Sequence, residues 1–289
     1  MMHVQHLKGK SFGSIVNGVD LENMDNDTWK QLYELWIERA LLIFPKVFLS
    51  PAGQDKFALR FGNLEFPRTA ITNIGKEEKL HHEISDDVVK VLRGNEGWHH
   101  DSTYMPVQAK AAVFSAEIVP TSGGSTGWAD MRSAYESLDP ILQERVESMR
   151  AYHSYYYSQG RDGYLPNEQN EDGTYNYYGF HGEEISLRPL VKVHPDTGVR
   201  NLIIGRHAHD IIGMSKEESK SFLDDLNDFA CQEQHVFYHD WEPGDAVIWD
   251  NRRLMHRATP YDMTEQRRMW HTRIAGDVQT ESALNHQPI

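Results

Sequence analysis

The residues best suited to metal chemistry are two histidines and one aspartate that lie far apart in the chain. Within Trp98-His99-His100-Asp101, an extended backbone would place His99 and Asp101 on one face. His256 follows an apolar run typical of a buried strand. Two imidazoles and a carboxylate on one side of a metal leave coordination positions open, as in non-haem iron(II) oxygenases. A His-x-Asp pair alone is weak evidence for a metal site, because a chain with 16 histidines contains such pairs by chance. The alternative interpretation is two polar residues that are hydrogen-bonded at the end of a strand.

A second set of candidate residues lies near the end of the chain. In a strand, Arg267, Met269, His271 and Arg273 would share one face. An arginine binds a carboxylate through two parallel hydrogen bonds and stays charged at any working pH. Arg267 follows His256 closely enough to reach a metal-bound diacid across a hairpin. The alternative interpretation is a solvated, basic strand end.

Length and composition are those of an intracellular globular protein. The chain has 289 residues, of which 39% are hydrophobic and 25% charged. Its formal net charge of −14 disfavours nucleic-acid binding, because phosphate backbones would be repelled. Cys231 is the single cysteine, so an intrachain disulfide is excluded, and no apolar stretch is long enough to span a bilayer. We expect one domain over residues 1–289, without a signal sequence and located in the cytoplasm, with no nucleic-acid or membrane partner.

The elements that must position the candidate residues are mainly strands. Helical spacing of apolar residues predicts a helix over 27–40, and Ser50-Pro51 is typical of a helix start. Ser215 and Glu218 form a capping box before another helix. Apolar runs predict strands over 41–49, 110–119, 236–239 and 246–249, the last two separated by a turn. This pattern favours an α+β protein, with a mainly β barrel or sandwich core and flanking helices.

One long segment has no clear periodicity. Residues 160–185 are rich in glycine, asparagine, aspartate and tyrosine. A loop of this length in a compact domain is usually a lid, a binding loop or a disordered segment. We predict a lid, with disorder as the alternative.

The chain carries a series of motifs in order: GSIVNGVDL at 13–21, RFGNL at 60–64, WHHD at 98–101, GGSTGW at 123–128, PGD at 243–245, WDNR at 249–252, His256, Arg267 and IAGD at 274–277. In these motifs it resembles the taurine dioxygenase and 2,4-dichlorophenoxyacetate dioxygenase (TauD/TfdA) family, nearly from end to end. The resemblance implies a double-stranded β-helix, which is a cupin-like jelly roll. It implies that His99, Asp101 and His256 bind iron(II), and that Thr126 and Arg267 hold the distal carboxylate of 2-oxoglutarate.

The resemblance also implies an activity. O₂ and 2-oxoglutarate would be consumed, succinate and CO₂ released, and a small organic substrate hydroxylated; the carboxylate of Asp101 favours hydroxylation over halogenation. The family often has an arginine four residues after the 2-oxoglutarate arginine, where this chain has His271. The histidine at this position disfavours a sulfonate substrate and leaves a carboxylate or a less charged substrate possible. Hydroxylation next to an ether oxygen would cleave the ether, which is one possible reaction. His271 or Arg273 could meet the anionic group, and Asn95 and Tyr104 could line the substrate pocket, with ordinary packing as the alternative.

Two other function classes remain compatible with these residues. A zinc hydrolase or isomerase with a His₂-carboxylate site would need no O₂, but it leaves Arg267 and Thr126 without a role. A non-catalytic small-molecule binding protein on the same barrel would need no open metal site. Relatives in the resembled family often form dimers or tetramers, so we expect a homo-oligomer. The tyrosines at 155–157 could pack against an organic substrate, with ordinary packing as the favoured interpretation, and His207 is interpreted as a pocket or structural residue.

Overall fold

The computed structural model describes residues 2–171, 175, 177–180 and 184–286. In these residues the strands are β1 His3–His6, β2 Ser14–Asn17, β3 Leu41–Phe44, β4 Thr69–Thr72, β5 Ala111–Ile118, β6 Thr126–Asp130, β7 Arg150–His153, β8 Ser186–Pro189, β9 Val191–Val193, β10 Arg200–Leu202, β11 Ala208–Ile211, β12 Val236–His239, β13 Ala246–Asp250, β14 Leu254–Ala258 and β15 Arg268–Ile274. The α-helices are α1 Asn26–Arg39, α2 Pro51–Leu59, α3 Asp87–Gly94, α4 Met131–Glu136, α5 Pro140–Glu147, α6 Tyr155–Arg161, α7 Lys216–Ala230 and α8 Val278–Glu281.

Two sheets pack face to face and build the site between them. The larger has the strand order β1-β2-β3-β13-β5-β15-β4 and is antiparallel except for the β2–β3 pair. The smaller has the antiparallel order β12-β6-β14. Side chains of both sheets form one buried cluster, which includes Phe114, Trp128, Trp249 and Leu254. Two shorter sheets are also present, one with the strand order β11-β7-β8 and one formed by β9 and β10.

Alternation along β3 shows how one strand serves two cores. Leu41 and Ile43 belong to the cluster between the sheets, whereas Leu42 and Phe44 belong to a cluster on the opposite face. Successive side chains of a strand point to opposite faces, so a continuous apolar run is required here. On that opposite face the larger sheet packs against α1 and α2, and the smaller sheet packs against α4 and α7 on its own outer face. The sheets are therefore enclosed between two helical layers.

The predicted elements are confirmed in kind and corrected in extent. Helix α1 lies at the predicted place, and the capping box of Ser215 and Glu218 is present. The strand predicted over 41–49 is too long, since β3 ends at Phe44. Lys46 and Phe48 have φ of +50° and +48°, left-handed values that a strand does not accommodate. Strands β12 and β13 lie where predicted on either side of a turn, but they join different sheets.

The segment predicted as a lid is described only in part. Residues 172–174, 176 and 181–183 lie outside the described residues, so the lid stays a prediction. Its first two residues are helical, because α6 extends to Arg161. Phe180 is buried against Tyr155 and Tyr156 at ring-centroid distances of 4.7 and 4.8 Å. Among the described helices, none combines the length and the apolar character needed to cross a membrane.

Candidate active site

The predicted triad is assembled by a short antiparallel bridge between two distant segments. The backbone of His99 donates to the carbonyl of His256 at 3.0 Å, and the backbone of His256 donates back at 2.8 Å. His256 lies on β14, opposite Trp128 of β6. Asp101 follows two residues after the bridge. One potential ligand atom from each of the three side chains lies within 4.8 Å of the others.

Each imidazole is oriented by its surroundings. The Nδ1 of His99 lies 2.7 Å from the Gly97 carbonyl; if it donates there, Nε2 keeps a lone pair for a metal. The His256 ring lies against Trp249 and His99, at centroid distances of 4.7 and 4.3 Å. Burial lowers the pKa of His99 to about 4 and the pKa of His256 well below its ordinary value. Both rings are therefore neutral at pH 7, which is the form that binds metals.

The carboxylate of Asp101 has one oxygen bound and one open. Oδ1 accepts a hydrogen bond from Nη2 of Arg273 at 2.8 Å. Oδ2 is buried without a hydrogen-bond partner among the described residues, 3.8 Å from Nε2 of His256 and 3.6 Å from Nε2 of His271. Burial raises the pKa of Asp101, but Arg273, His256 and His271 together hold it well below its usual range. A buried, ionised oxygen without a partner fits a metal ligand.

A second buried group without a counter-charge lies nearby. The guanidinium of Arg267 donates to the Gly124 carbonyl at 3.2 Å, its Nε has no hydrogen-bond partner, and it forms no salt bridge within the described residues. Burial lowers its pKa to about 10, so it is still charged at pH 7. The hydroxyl of Thr126 accepts a hydrogen bond from Nε1 of Trp241 at 2.9 Å. An arginine buried in this way is suited to an incoming carboxylate.

Two cavities meet at the triad. The Arg267 cavity is lined by Thr126, Thr259, Tyr261, Met263 and Arg267 together with all three triad residues. The tyrosine cavity has a volume of about 560 Å³, within the range of small-molecule sites. Its walls include Phe66, Tyr104, Tyr155, Tyr177, Tyr178 and His207. Both cavities share Ile71, Asn95, His99, Asp101, His271 and Arg273.

The four residues predicted to contact substrate all line these cavities. Asn95 lies just after α3 and borders both. Tyr104 faces the tyrosine cavity and packs against Tyr155 at a centroid distance of 4.9 Å. His271 stacks on Trp249 with an interplanar angle of 2°. Arg273 is in place but already bound to Asp101. Their roles stay predictions.

Sequence reasoning offered Tyr104, Tyr155 and His207 as possible pocket residues but missed Phe66, Tyr177 and Tyr178, which also line the tyrosine cavity. His207 lies 5.8 Å from His99 and 4.8 Å from Tyr104 between ring centroids, and its Nδ1 is 2.8 Å from the Ser158 hydroxyl. The position of His207 depends on Gly205, whose φ is +111° and where an added Cβ would lie 2.9 Å from the Trp98 carbonyl. A glycine is required for this close approach. It brings the segment containing His207 against the triad.

The fold and the site together define a class. A histidine–aspartate–histidine cluster at the mouth of two sheets, with an open arginine beside it, is the arrangement of a non-haem metal oxygenase. Residues 3–274 match the model of the taurine catabolism dioxygenase TauD, TfdA family. The chain belongs to this family, and it is an oxidoreductase of the 2-oxoglutarate-dependent dioxygenase class.

Individual relatives cover almost the whole chain. It is 53% identical to a (S)-phenoxypropionate/alpha-ketoglutarate-dioxygenase of Sphingobium herbicidovorans, over 96% of each chain. It is 46% identical to the protein of the same description from Delftia acidovorans, over 95% of this chain and 96% of that one. The crystal structure of AAD-2 with Mn(II) and N-oxalylglycine matches with a TM-score of 0.88 and 32% identity, over 98% of this chain and 99% of that one. The predicted family, jelly-roll fold and enzyme class are thereby confirmed.

Proposed function

We propose that this chain binds iron(II) and uses 2-oxoglutarate and O₂ to cleave an aryloxyalkanoic acid at its ether bond. The observation that carries the proposal is the convergence of His99, Asp101 and His256, whose ligand atoms lie within 4.8 Å of one another. The activities named for the two relatives at 53% and 46% identity support the choice of substrate class.

In this proposal His99, Asp101 and His256 hold iron(II), which when bound supplies the oxidising chemistry that couples conversion of 2-oxoglutarate to succinate and CO₂ with hydroxylation of a C–H bond. Arg267 binds the distal carboxylate of 2-oxoglutarate with its guanidinium group. The Thr126 oxygen accepts from Trp241, so its own proton is left to donate to the same carboxylate. The burial of both groups keeps water away from this contact.

The tyrosine cavity takes the substrate. Its aromatic walls suit an aryl ring, because aromatic rings favour edge-to-face and offset contacts with one another. His271 places a hydrogen-bonding nitrogen, Nε2, at the metal side of the cavity, where the substrate carboxylate lies. The carbon between that carboxylate and the ether oxygen is then the carbon nearest the metal. A hydroxyl group added to this carbon makes it unstable: the bond between this carbon and the ether oxygen breaks, the ether oxygen takes the hydroxyl proton and leaves with the ring as the phenol, and a 2-oxo acid remains.

The test is an anaerobic titration of the iron(II) protein with 2-oxoglutarate, followed by a succinate-release assay in air. We expect a weak visible charge-transfer band, and succinate release with (S)-2-phenoxypropionate but not with taurine. Arg267→Ala should weaken the 2-oxoglutarate titration. If no band forms and no aryloxyalkanoate releases succinate, the proposal fails. Turnover with zinc in the absence of O₂ would instead support a hydrolase.

A further inference from the structure

Arg273 was one of two candidates, with His271, for meeting the anionic group of the substrate, but the structure shows that both of its Nη atoms donate to other groups. Nη2 donates to Oδ1 of Asp101 at 2.8 Å, and Nη1 donates to the Ser102 hydroxyl at 3.1 Å. Nε has no hydrogen-bond partner among the described residues, but it lies 3.8 Å from a carboxylate oxygen of Glu65. The rings of Phe66 and Tyr178 lie over the guanidinium at 5.1 and 5.4 Å. Arg273 is therefore enclosed by two carboxylates and two aromatic rings.

These contacts decide which oxygen of Asp101 is open. Because Arg273 occupies Oδ1, Oδ2 is left without a hydrogen bond and lies on the side of His256. Ser102 has φ of +58°, so the chain turns sharply after Asp101. In that turn the Ser102 hydroxyl contacts both Arg273 and Glu65, at 3.1 and 3.0 Å. The turn and the arginine together fix the direction of the Asp101 carboxylate.

The same contacts oppose a direct role in binding substrate. A substrate carboxylate that reached Arg273 would displace Asp101 from Nη2 or enter beside Glu65, and like charges at this range repel. His271 lies near only one of these two carboxylates in the described residues: its Nε2 is 3.6 Å from Oδ2 of Asp101 and makes no hydrogen bond, and the ring lines both cavities. It is the better placed of the two for the anionic group.

We propose that Arg273 is a positioning residue, which holds Oδ1 of Asp101 so that Oδ2 alone faces the metal, and that it does not anchor the substrate. The inference rests on the metal site of the proposed function. Partners that orient a metal ligand commonly change metal affinity by 10- to 100-fold when they are removed. Lysine cannot replace the arginine here, because a single ammonium cannot contact both Asp101 and Ser102 in the geometry of the planar fork.

The experiment is a Mn(II) titration followed by electron paramagnetic resonance, with melting temperatures of the metal-free variants as a check of folding. For Arg273→Met we expect Mn(II) affinity to fall about 10- to 100-fold. For Arg273→Lys we expect a loss of at least about tenfold, although the charge is kept. Ser102→Gly accepts the same backbone conformation and should show a smaller loss in the same direction. Arg68→Met is the matched control, because Arg68 lines the tyrosine cavity but contacts Trp270 and Asp55 instead of a triad residue.

The outcomes separate the possible failures. If Arg273→Met and Arg273→Lys bind Mn(II) like the wild type, while the substrate KM of Arg273→Met at saturating metal rises tenfold, Arg273 is the anion anchor and the inference is wrong. If the wild-type protein itself binds no Mn(II), the metal site of the proposed function fails instead. If Arg273→Met does not fold, Arg273→Lys and Ser102→Gly decide the question.

Discussion

Strand β6 has a buried arginine near each end, and the two arginines have opposite surroundings. At one end, Arg253 donates hydrogen bonds from Nε and Nη2 to the carboxylate of Asp130, at 2.9 and 2.7 Å. Its remaining donors contact the carbonyls of Glu38 and Ser11. Near the other end, the guanidinium of Arg267 donates to the Gly124 carbonyl, lies 5.6 Å from the centre of the Tyr261 ring, and forms no salt bridge in the described part of the chain.

The difference distinguishes a buried charge that is neutralised within the fold from a buried charge that is left for a ligand. A buried ion without a partner is costly, and a fold keeps one only where a ligand or metal compensates for it. Arg253 and Asp130 satisfy each other, so they stabilise the β6–β14 pair. In the described part of the chain, Nε of Arg267 and Oδ2 of Asp101 are buried without hydrogen-bond partners. Substitutions at the two ends should therefore affect different quantities.

The largest effect is expected at the triad itself. His256→Ala removes one of three proposed ligands, and we expect succinate release to fall by at least about 10⁴-fold, or about 5 kcal/mol of activation free energy. Mn(II) binding should fall with it, whereas the melting temperature of the metal-free protein should change little. His235→Ala is a suitable control, because this buried histidine contacts Ser133 and lies outside both cavities. A His256→Ala enzyme with near-normal turnover would rule out the proposed ligand set.

At the satisfied end, the expected effect is on stability. Arg253→Met leaves Asp130 buried without its partner, which should lower the free energy of unfolding by about 3–5 kcal/mol. The KM for 2-oxoglutarate should stay the same in the folded fraction, because Arg253 lines neither cavity. Urea unfolding and steady-state kinetics on the same preparation measure the two quantities. A raised KM without loss of stability would contradict the comparison.

The same pair gives a pH dependence with a defined sign. Burial raises the pKa of Asp130, but hydrogen bonds and charge from Arg253 outweigh it and hold the pKa below 3.8. The stabilisation is therefore present above that value and lost as the pH falls through the folded-state pKa. In Arg253→Met the hydrogen bonds from Ser11 and the backbone remain, but the two largest effects that oppose burial are lost and the pKa of Asp130 rises. Protonation of Asp130 at low pH then removes part of the cost of burying its charge in the variant. The stability difference between wild type and variant should be smaller at pH 4 than at pH 7; a constant difference would disprove this.

At the open end, Arg267→Met should raise the KM for 2-oxoglutarate about 30- to 150-fold, which corresponds to about 2–3 kcal/mol. Because the unpaired charge is removed, the stability of the protein without ligand should stay the same or increase. This is the reverse of Arg253→Met, although both substitutions are identical in chemistry. Urea unfolding without ligand tests it, and a loss of stability comparable to that of Arg253→Met would show that Arg267 has a structural partner.

Local patterns predicted the elements better than the contacts between them. The apolar spacing of α1 and the capping box of α7 act within a few residues, so they could be read directly. The end of β3 could not, because it depends on left-handed backbone at Lys46 and Phe48, where glycine would be the usual signal. The pairing of β12 and β13 with different sheets depends on partners far away in the chain.

The site shows the same limit. His99 and Asp101 are close in sequence, but their meeting with His256 was inferred from a family resemblance, because spacing alone cannot specify a bridge across more than 150 residues. The contact of Arg273 with Asp101 was not anticipated. A strand period places Arg273 on the correct face, yet which carboxylate it meets depends on the turn at Ser102 and on Glu65.

The smallest effect is expected for an aromatic residue of the tyrosine cavity, because its contacts are between uncharged rings. Tyr104→Leu keeps an apolar side chain but removes ring contacts to Tyr155 and His207, which lie at 4.9 and 4.8 Å. An aromatic pair is worth about 0.5–1.5 kcal/mol, so the KM for an aryloxyalkanoate should rise about 2- to 12-fold. The KM for 2-oxoglutarate should not change, because Tyr104 borders only the tyrosine cavity. Equal effects on both KM values would mean that the two cavities do not divide substrate from co-substrate, and the contrast between them would have to be abandoned.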